Sequence, residues 1–206
     1  VVSEYAFILP IAAVNLLGAM SPGPSFVIVA RTALAESKER GFGVSIGMGL
    51  GAATFFLMAA FGLYAVLEAI PTLYFVLKIL GGAYLCYLAY KIIKSAKTPL
   101  AKVELAKEKS FFGYVLYGFA VQMSNPKTAI VIGSIVAAFL PREIPPMTPW
   151  LLALMGLATD FFWYSTVVLL FSRPKAQRGY LRFKAWIDRV AGGVLAALGL
   201  KLMVTP

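Results

Sequence analysis

Two charged side chains sit where charge is costly, and they are the first candidates for chemistry. Asp160 lies twelve residues into an apolar run over 148–172 and is the only carboxylate deep inside any such run. A charge at the centre of a bilayer costs ~2.5–3.5 kcal/mol on the more lenient scale unless the group is paired or wet. A carboxylate kept there can exchange a proton or hold an ammonium group. Lys127 lies in Asn125-Pro126-Lys127, inside another apolar run over 111–140. It can clamp a carboxylate or act as an ion-pair partner that is released during turnover. The plainer reading pairs it with neighbouring backbone carbonyls. The chain has no histidine and one cysteine, Cys86. A Ser-His pair, an HExxH motif, a disulfide and a Cys/His metal set are therefore missing, and with them the usual parts of hydrolytic, thiol-redox and metal chemistry. No cofactor and no metal are expected.

What positions these groups is a pair of breaks. Met20-Ser21-Pro22-Gly23-Pro24 interrupts the run 5–31, and Met123-Ser124-Asn125-Pro126-Lys127 interrupts the run 111–140. Proline lacks the N–H that an interior helical turn must donate, and glycine tolerates backbone angles that other residues avoid. The 27 residues of the first run would reach ~40 Å as straight helix against a hydrocarbon core of ~30 Å, so there is length to spare for an interruption. Each of these runs is expected to form two half-helices meeting at depth.

Composition gives the class. Of the 206 residues 60% are hydrophobic and 14% charged, and the mean hydropathy is +0.82. The chain reads as an all-α integral membrane protein forming a single domain over 1–206. Apolar runs fall at 5–31, 42–67, 72–93, 111–140, 148–172 and 185–204, which predicts six transmembrane helices with the first and fourth broken. The first run is too long for a signal peptide and has no basic flank before it. The net charge of +10 does not point to nucleic acid, because the basic residues are concentrated in connections, with Lys78 and Lys127 inside runs. Connections after the first, third and fifth runs hold 15 of the 19 Lys and Arg residues, while the opposite side has Arg142 and Lys201. The positive-inside rule then places both termini outside a prokaryotic plasma (inner) membrane and the basic connections in the cytoplasm.

The two halves of the chain match each other in order. Ala19 to Pro22 lies over Gln122 to Pro126, Gly51 to Phe56 over Leu157 to Phe162, and Lys78 to Gly82 over Arg189 to Gly193. With three runs in each half, about 1–98 and about 110–206, the second half must enter the membrane in the opposite sense. That predicts an inverted-topology repeat, in which secondary transporters place substrate near the midplane between broken helices. Chance likeness among apolar helices is the alternative.

The Ser21-Pro22-Gly23-Pro24 break, the run from Leu77 to Leu85 and the Asn125-Pro126-Lys127 break together resemble the LysE/RhtB family of amino-acid exporters, over nearly the whole chain. The resemblance implies export of amino acids from the cytoplasm without saying which one. Metal exporters of the wider superfamily use metal-binding side chains that this chain lacks.

The residues themselves support a zwitterionic substrate. In the expected topology the half-helices beginning near Ser25 and near Thr128 both start at depth, so their N-termini face the midplane. Each presents unpaired N–H groups and a partial positive charge of ~0.5, which suit a carboxylate in a water-poor cavity. The expected substrate site comprises Ser21, Pro22, Gly23, Pro24, Ser25, Asn125, Pro126, Lys127 and Asp160, with Asp160 also carrying proton coupling. Thr54, the counterpart of Asp160 in the repeat, could add a hydroxyl to the same cavity, although a threonine bonded to its own helix is the commoner case. Gly43, Gly47 and Gly51 read as a helix-packing ladder within one protomer, with a homodimer face as the alternative. Tyr180, Phe183 and Trp186 alternate with Arg182 and Lys184 as an interfacial belt against anionic lipid. A short surface helix is expected over 100–109. The reading is secondary-active amino-acid export coupled to proton entry; the alternatives are a passive channel, an exporter of another small solute and, less favoured, an intramembrane enzyme.

Overall fold

The computed structural model describes residues 4–21, 23–69, 73–97, 110–141 and 143–204. Regular structure among them is helical throughout: α1 (Ile8–Met20), α2 (Pro24–Ala35), α3 (Lys38–Ala69), α4 (Leu73–Ser95), α5 (Phe111–Met123), α6 (Pro126–Phe139), α7 (Thr148–Phe171) and α8 (Pro174–Val204). The expected helix over 100–109 lies outside the described residues. By length and composition, α3 over Lys38–Leu63 and α7 can each cross a membrane, and α1 with α2 makes a third span if the bent pair is taken as one.

Both breaks fall where proline and glycine dictate. The axes of α1 and α2 meet at 60°. Gly23 precedes α2 in an extended conformation, with φ −120° and ψ −170°, and Pro24 opens the helix. At that position a missing N–H costs nothing, since the first turn has no partner for it. Pro22 lies outside the described residues. The second break is closed by a side-chain cap: Asn125 Oδ1 accepts from Lys127 N at 3.0 Å, and Pro126 occupies the first turn of α6. Such a cap contributes ~1 kcal/mol.

Apolar residues gather in two clusters, and the polar side chains fall between them along the chain. Ile11 and Val14 of α1 belong to one cluster and Phe26 to Ala33 of α2 to the other. In α7, Leu152 joins the first and Tyr164 to Phe171 the second, with Asp160 between. The order is reversed elsewhere: in α3, Val44 and Met48 join the second cluster and Ala52 to Leu63 the first, and from α5 to α6 the chain passes from Tyr114 to Val131 and Ile132. The α1–α2 pair therefore runs with α7 and against both α3 and the α5–α6 pair.

Close helix contacts depend on glycine. A Cβ on Gly47 of α3 would lie 2.1 Å from the Val115 carbonyl oxygen of α5, and one on Gly118 of α5 would lie 2.3 Å from the Val44 carbonyl oxygen. Gly43 and Gly51 face α5 as well, at Tyr114 and Gln122, so the glycine ladder is consumed inside the chain. On the other side of α3, Gly156 of α7 leaves room for the Phe56 ring. Gly199 of α8 approaches Gly82 and Cys86 of α4 in the same way.

The expected belt on α8 divides. Arg182, Phe183 and Trp186 are exposed, whereas Tyr180 and Lys184 are buried. Tyr180 stacks on Phe26 at 5.3 Å between ring centroids. Lys184 Nζ donates to the Ser95 and Ala96 carbonyls at the end of α4, at 3.3 and 3.1 Å, and to Asp188 Oδ2 at 2.9 Å. The reason is helical spacing: positions 180, 184 and 188 share one face, and that face lies against protein.

Candidate functional site

The two breaks and the middle of α7 enclose a cavity of about 30 Å³. Six residues expected at the site line it: Ser21, Gly23, Ser25, Asn125, Lys127 and Asp160. Pro24 and Pro126 line an adjoining vestibule of about 430 Å³ instead. Thr54 is not brought to the cavity. Its Oγ1 donates to the Leu50 carbonyl at 2.9 Å, so its hydroxyl is spent on its own helix. Correspondence between repeats relates positions in sequence; it does not bring both side chains to one cavity.

Asp160 is 2% exposed and is held by two carboxamides that sequence reasoning did not single out as site residues. Asn15 Nδ2 donates to its Oδ1 at 3.0 Å and Gln122 Nε2 to its Oδ2 at 2.7 Å. Asn15 Nδ2 also lies 2.8 Å from Thr159 Oγ1. From Gln122 the network continues across the first break: Ser25 Oγ donates to Gln122 Oε1 at 2.7 Å and accepts from Asn125 Nδ2 at 2.8 Å. One chain of side-chain bonds thus joins α7, α5, the start of α2 and the cap of α6. The missed signal was available, since three of the four Asn and Gln residues in the sequence fall inside the first and fourth apolar runs. A carboxamide there must find a partner or lose the free energy of an unmade hydrogen bond.

Lys127 forms no ion pair with Asp160 among the described residues. Its Nζ donates to the Gly18 and Ser21 carbonyls at 3.1 and 3.0 Å, closing the C-terminal end of α1. Those carbonyls are acceptors that a helix end leaves without intrahelical donors, and the negative end of the helix dipole favours a cation there. Trp163 Nε1 satisfies a third, Ala19 O, at 3.1 Å. The N-termini of α2 and α6 open on the same cavity through Gly23, Ser25, Lys127 and Thr128. Positive helix ends and a lysine thus share one small enclosure with a carboxylate, which can engage both ends of a zwitterion.

Half-helices meeting over a buried polar cavity are the arrangement in which broken-helix membrane carriers hold substrate. The chain belongs to the family described as LysE type translocator, whose model matches residues 16–205. Among curated proteins it is similar to the threonine efflux protein of Escherichia coli (strain K12), 30% identical over 96% of this chain and 97% of the relative. The threonine efflux protein of Salmonella typhimurium is 32% identical, over 95% and 96%. The leucine efflux protein of Klebsiella pneumoniae is 23% identical over 72% of this chain and 71% of its own length. No solved structure matches.

Proposed function

We propose that this chain exports small zwitterionic amino acids from the cytoplasm across a bacterial inner membrane, as a secondary carrier coupled to proton entry. The observation that carries the reading is the convergence of two half-helix N-termini, Lys127 and Asp160 on one small cavity. In this scheme α1–α2, α3 and α4 form one repeat and α5–α6, α7 and α8 its inverted partner, giving six spans with both termini outside. The opposite travel of α1–α2 and α5–α6 between the two apolar clusters supports that arrangement. The substrate carboxylate meets Lys127 and the helix N-termini, and Asp160 either holds the ammonium or carries the proton. Arg182, Phe183 and Trp186 face anionic lipid at the cytoplasmic surface. Threonine is the first substrate to try, because relatives covering almost the whole chain are named for it.

The test is flux in proteoliposomes with a panel that includes L-threonine and L-leucine and an imposed pH gradient. Uphill movement driven by the gradient is the expected result. Downhill flux alone would make the protein a passive channel, and no flux of any amino acid would overturn the reading.

A further inference from the structure

As it stands in this structure, the cavity around Asp160 is smaller than an amino acid, so substrate reaches Asp160 only once the half-helices part. At about 30 Å³ it holds on the order of one or two waters. The adjoining vestibule of about 430 Å³ is in the range of small-molecule sites, and its walls include Tyr87, Lys91 and Ser95 of α4. The two spaces share three lining residues, Ser21, Gly23 and Lys127. Lys127, pinned to the carbonyls of Gly18 and Ser21, is therefore part of the partition between them. The vestibule's described lining contains two lysines, Lys91 and Lys127, and no carboxylate. A cavity lined by one sign of charge and walled by apolar side chains concentrates ligands of the opposite sign. Lys91 is exposed and rests over the Tyr87 ring, 5.5 Å from its centroid, and no acidic partner holds it among the described residues.

We propose that the vestibule is a second binding site in series with the inner cavity, a staging site that receives the anionic oxygen group of the substrate at Lys91 before it reaches Lys127. The proposal rests on the amino-acid export reading. The same chemistry would also accept a lipid headgroup phosphate, so the experiment separates the two sources.

Ser95→Cys and, as a control on α4 outside the vestibule lining, Tyr90→Cys are introduced singly into a Cys86→Ser background and reconstituted in phosphatidylcholine vesicles. Labelling by N-ethylmaleimide is followed with and without L-threonine. At a concentration ~10 times its apparent dissociation constant, L-threonine slows labelling at position 95 about tenfold and leaves position 90 unchanged, as mass action at an occupied site requires. Adding Lys91→Gln abolishes that protection, while adding Asp160→Asn, which changes the inner cavity and not the vestibule lining, retains it. Protection that is absent, that survives Lys91→Gln or that disappears with Asp160→Asn overturns the staging site. Slow labelling without amino acid in vesicles containing phosphatidylglycerol assigns the vestibule to lipid and overturns it too. Flux of L-threonine in the same vesicles with the unsubstituted chain reports separately on whether the export reading stands.

Discussion

Asp160 accepts at both oxygens from neutral carboxamides, so Asp160→Asn removes titration and charge at constant size but turns one of the two acceptors into a donor that faces an amide N–H. Asp160→Asn is expected to exchange amino acid at zero gradient and to lose uphill export driven by a pH difference if Asp160 carries the proton. If it holds the ammonium, binding weakens by ~1.5–3 kcal/mol, the magnitude of a lost charged hydrogen bond. Unchanged affinity together with unchanged pH-driven export would leave the residue structural. Gln122→Leu leaves both Asp160 Oδ2 and Ser25 Oγ without their shared partner. Thermal unfolding in detergent should show a loss of ~1–3 kcal/mol for the exposed deficit in hydrogen bonding. At this scale Asp160 was legible in the sequence because an isolated carboxylate in an apolar run is conspicuous. Asn15 and Gln122 were not, because a carboxamide carries no charge to mark it. Lys184 and Asp188 were readable as an i,i+4 helix pair, but nothing in the spacing says that their face meets α4 and not lipid.

Elements are fixed by where chains can touch. Gly47 sits against backbone of α5, so Gly47→Val forces α3 and α5 apart; the loss of monodisperse protein in size-exclusion chromatography is the expected outcome. Gly193→Ala is the matched control, since a Cβ there meets nothing within 4 Å and alanine favours the helix by ~1 kcal/mol. A Gly47→Val protein as well behaved as the control would refute the close approach. Both breaks were legible, because Pro24 and Pro126 act locally and need no knowledge of the fold. The start of α8 at Pro174 was not, since the apolar pattern begins only at 185 and the preceding turns are basic.

The proposed topology gives the whole molecule a direction, written in its lysines and arginines. In a Cys86→Ser background, cysteines replacing Lys97 or Lys175 are expected to be shielded from an impermeant thiol reagent in intact cells, and one replacing Glu143 to react. The reverse pattern would invert the proposed orientation. In the proposed repeat the sense of travel of the first and fourth runs follows from the sequence alone, because an odd number of runs separates equivalent positions. The volume of the inner cavity could not, since it depends on how closely Ser25, Gln122 and Asn125 draw α2, α5 and α6 together.

The seat of the Lys127 ammonium has a consequence for inorganic ions. Backbone oxygens of Gly18 and Ser21 at 3.1 and 3.0 Å form the kind of cradle in which a carrier with an unwound helix holds a free alkali cation. Here the cation is covalently tethered, so the helix end is neutralised without recruiting one from solution. Export should then be indifferent to replacing sodium or potassium with a bulky organic cation. Lys127→Ala empties the cradle while leaving its oxygens in place, and free ammonium or methylammonium should restore part of the lost amino-acid exchange where choline does not. Exchange rates measured across a methylammonium titration check this chemical complementation. A variant that no small cation revives would mean that the lysine's reach toward the substrate, and not its charge on α1, is what transport requires.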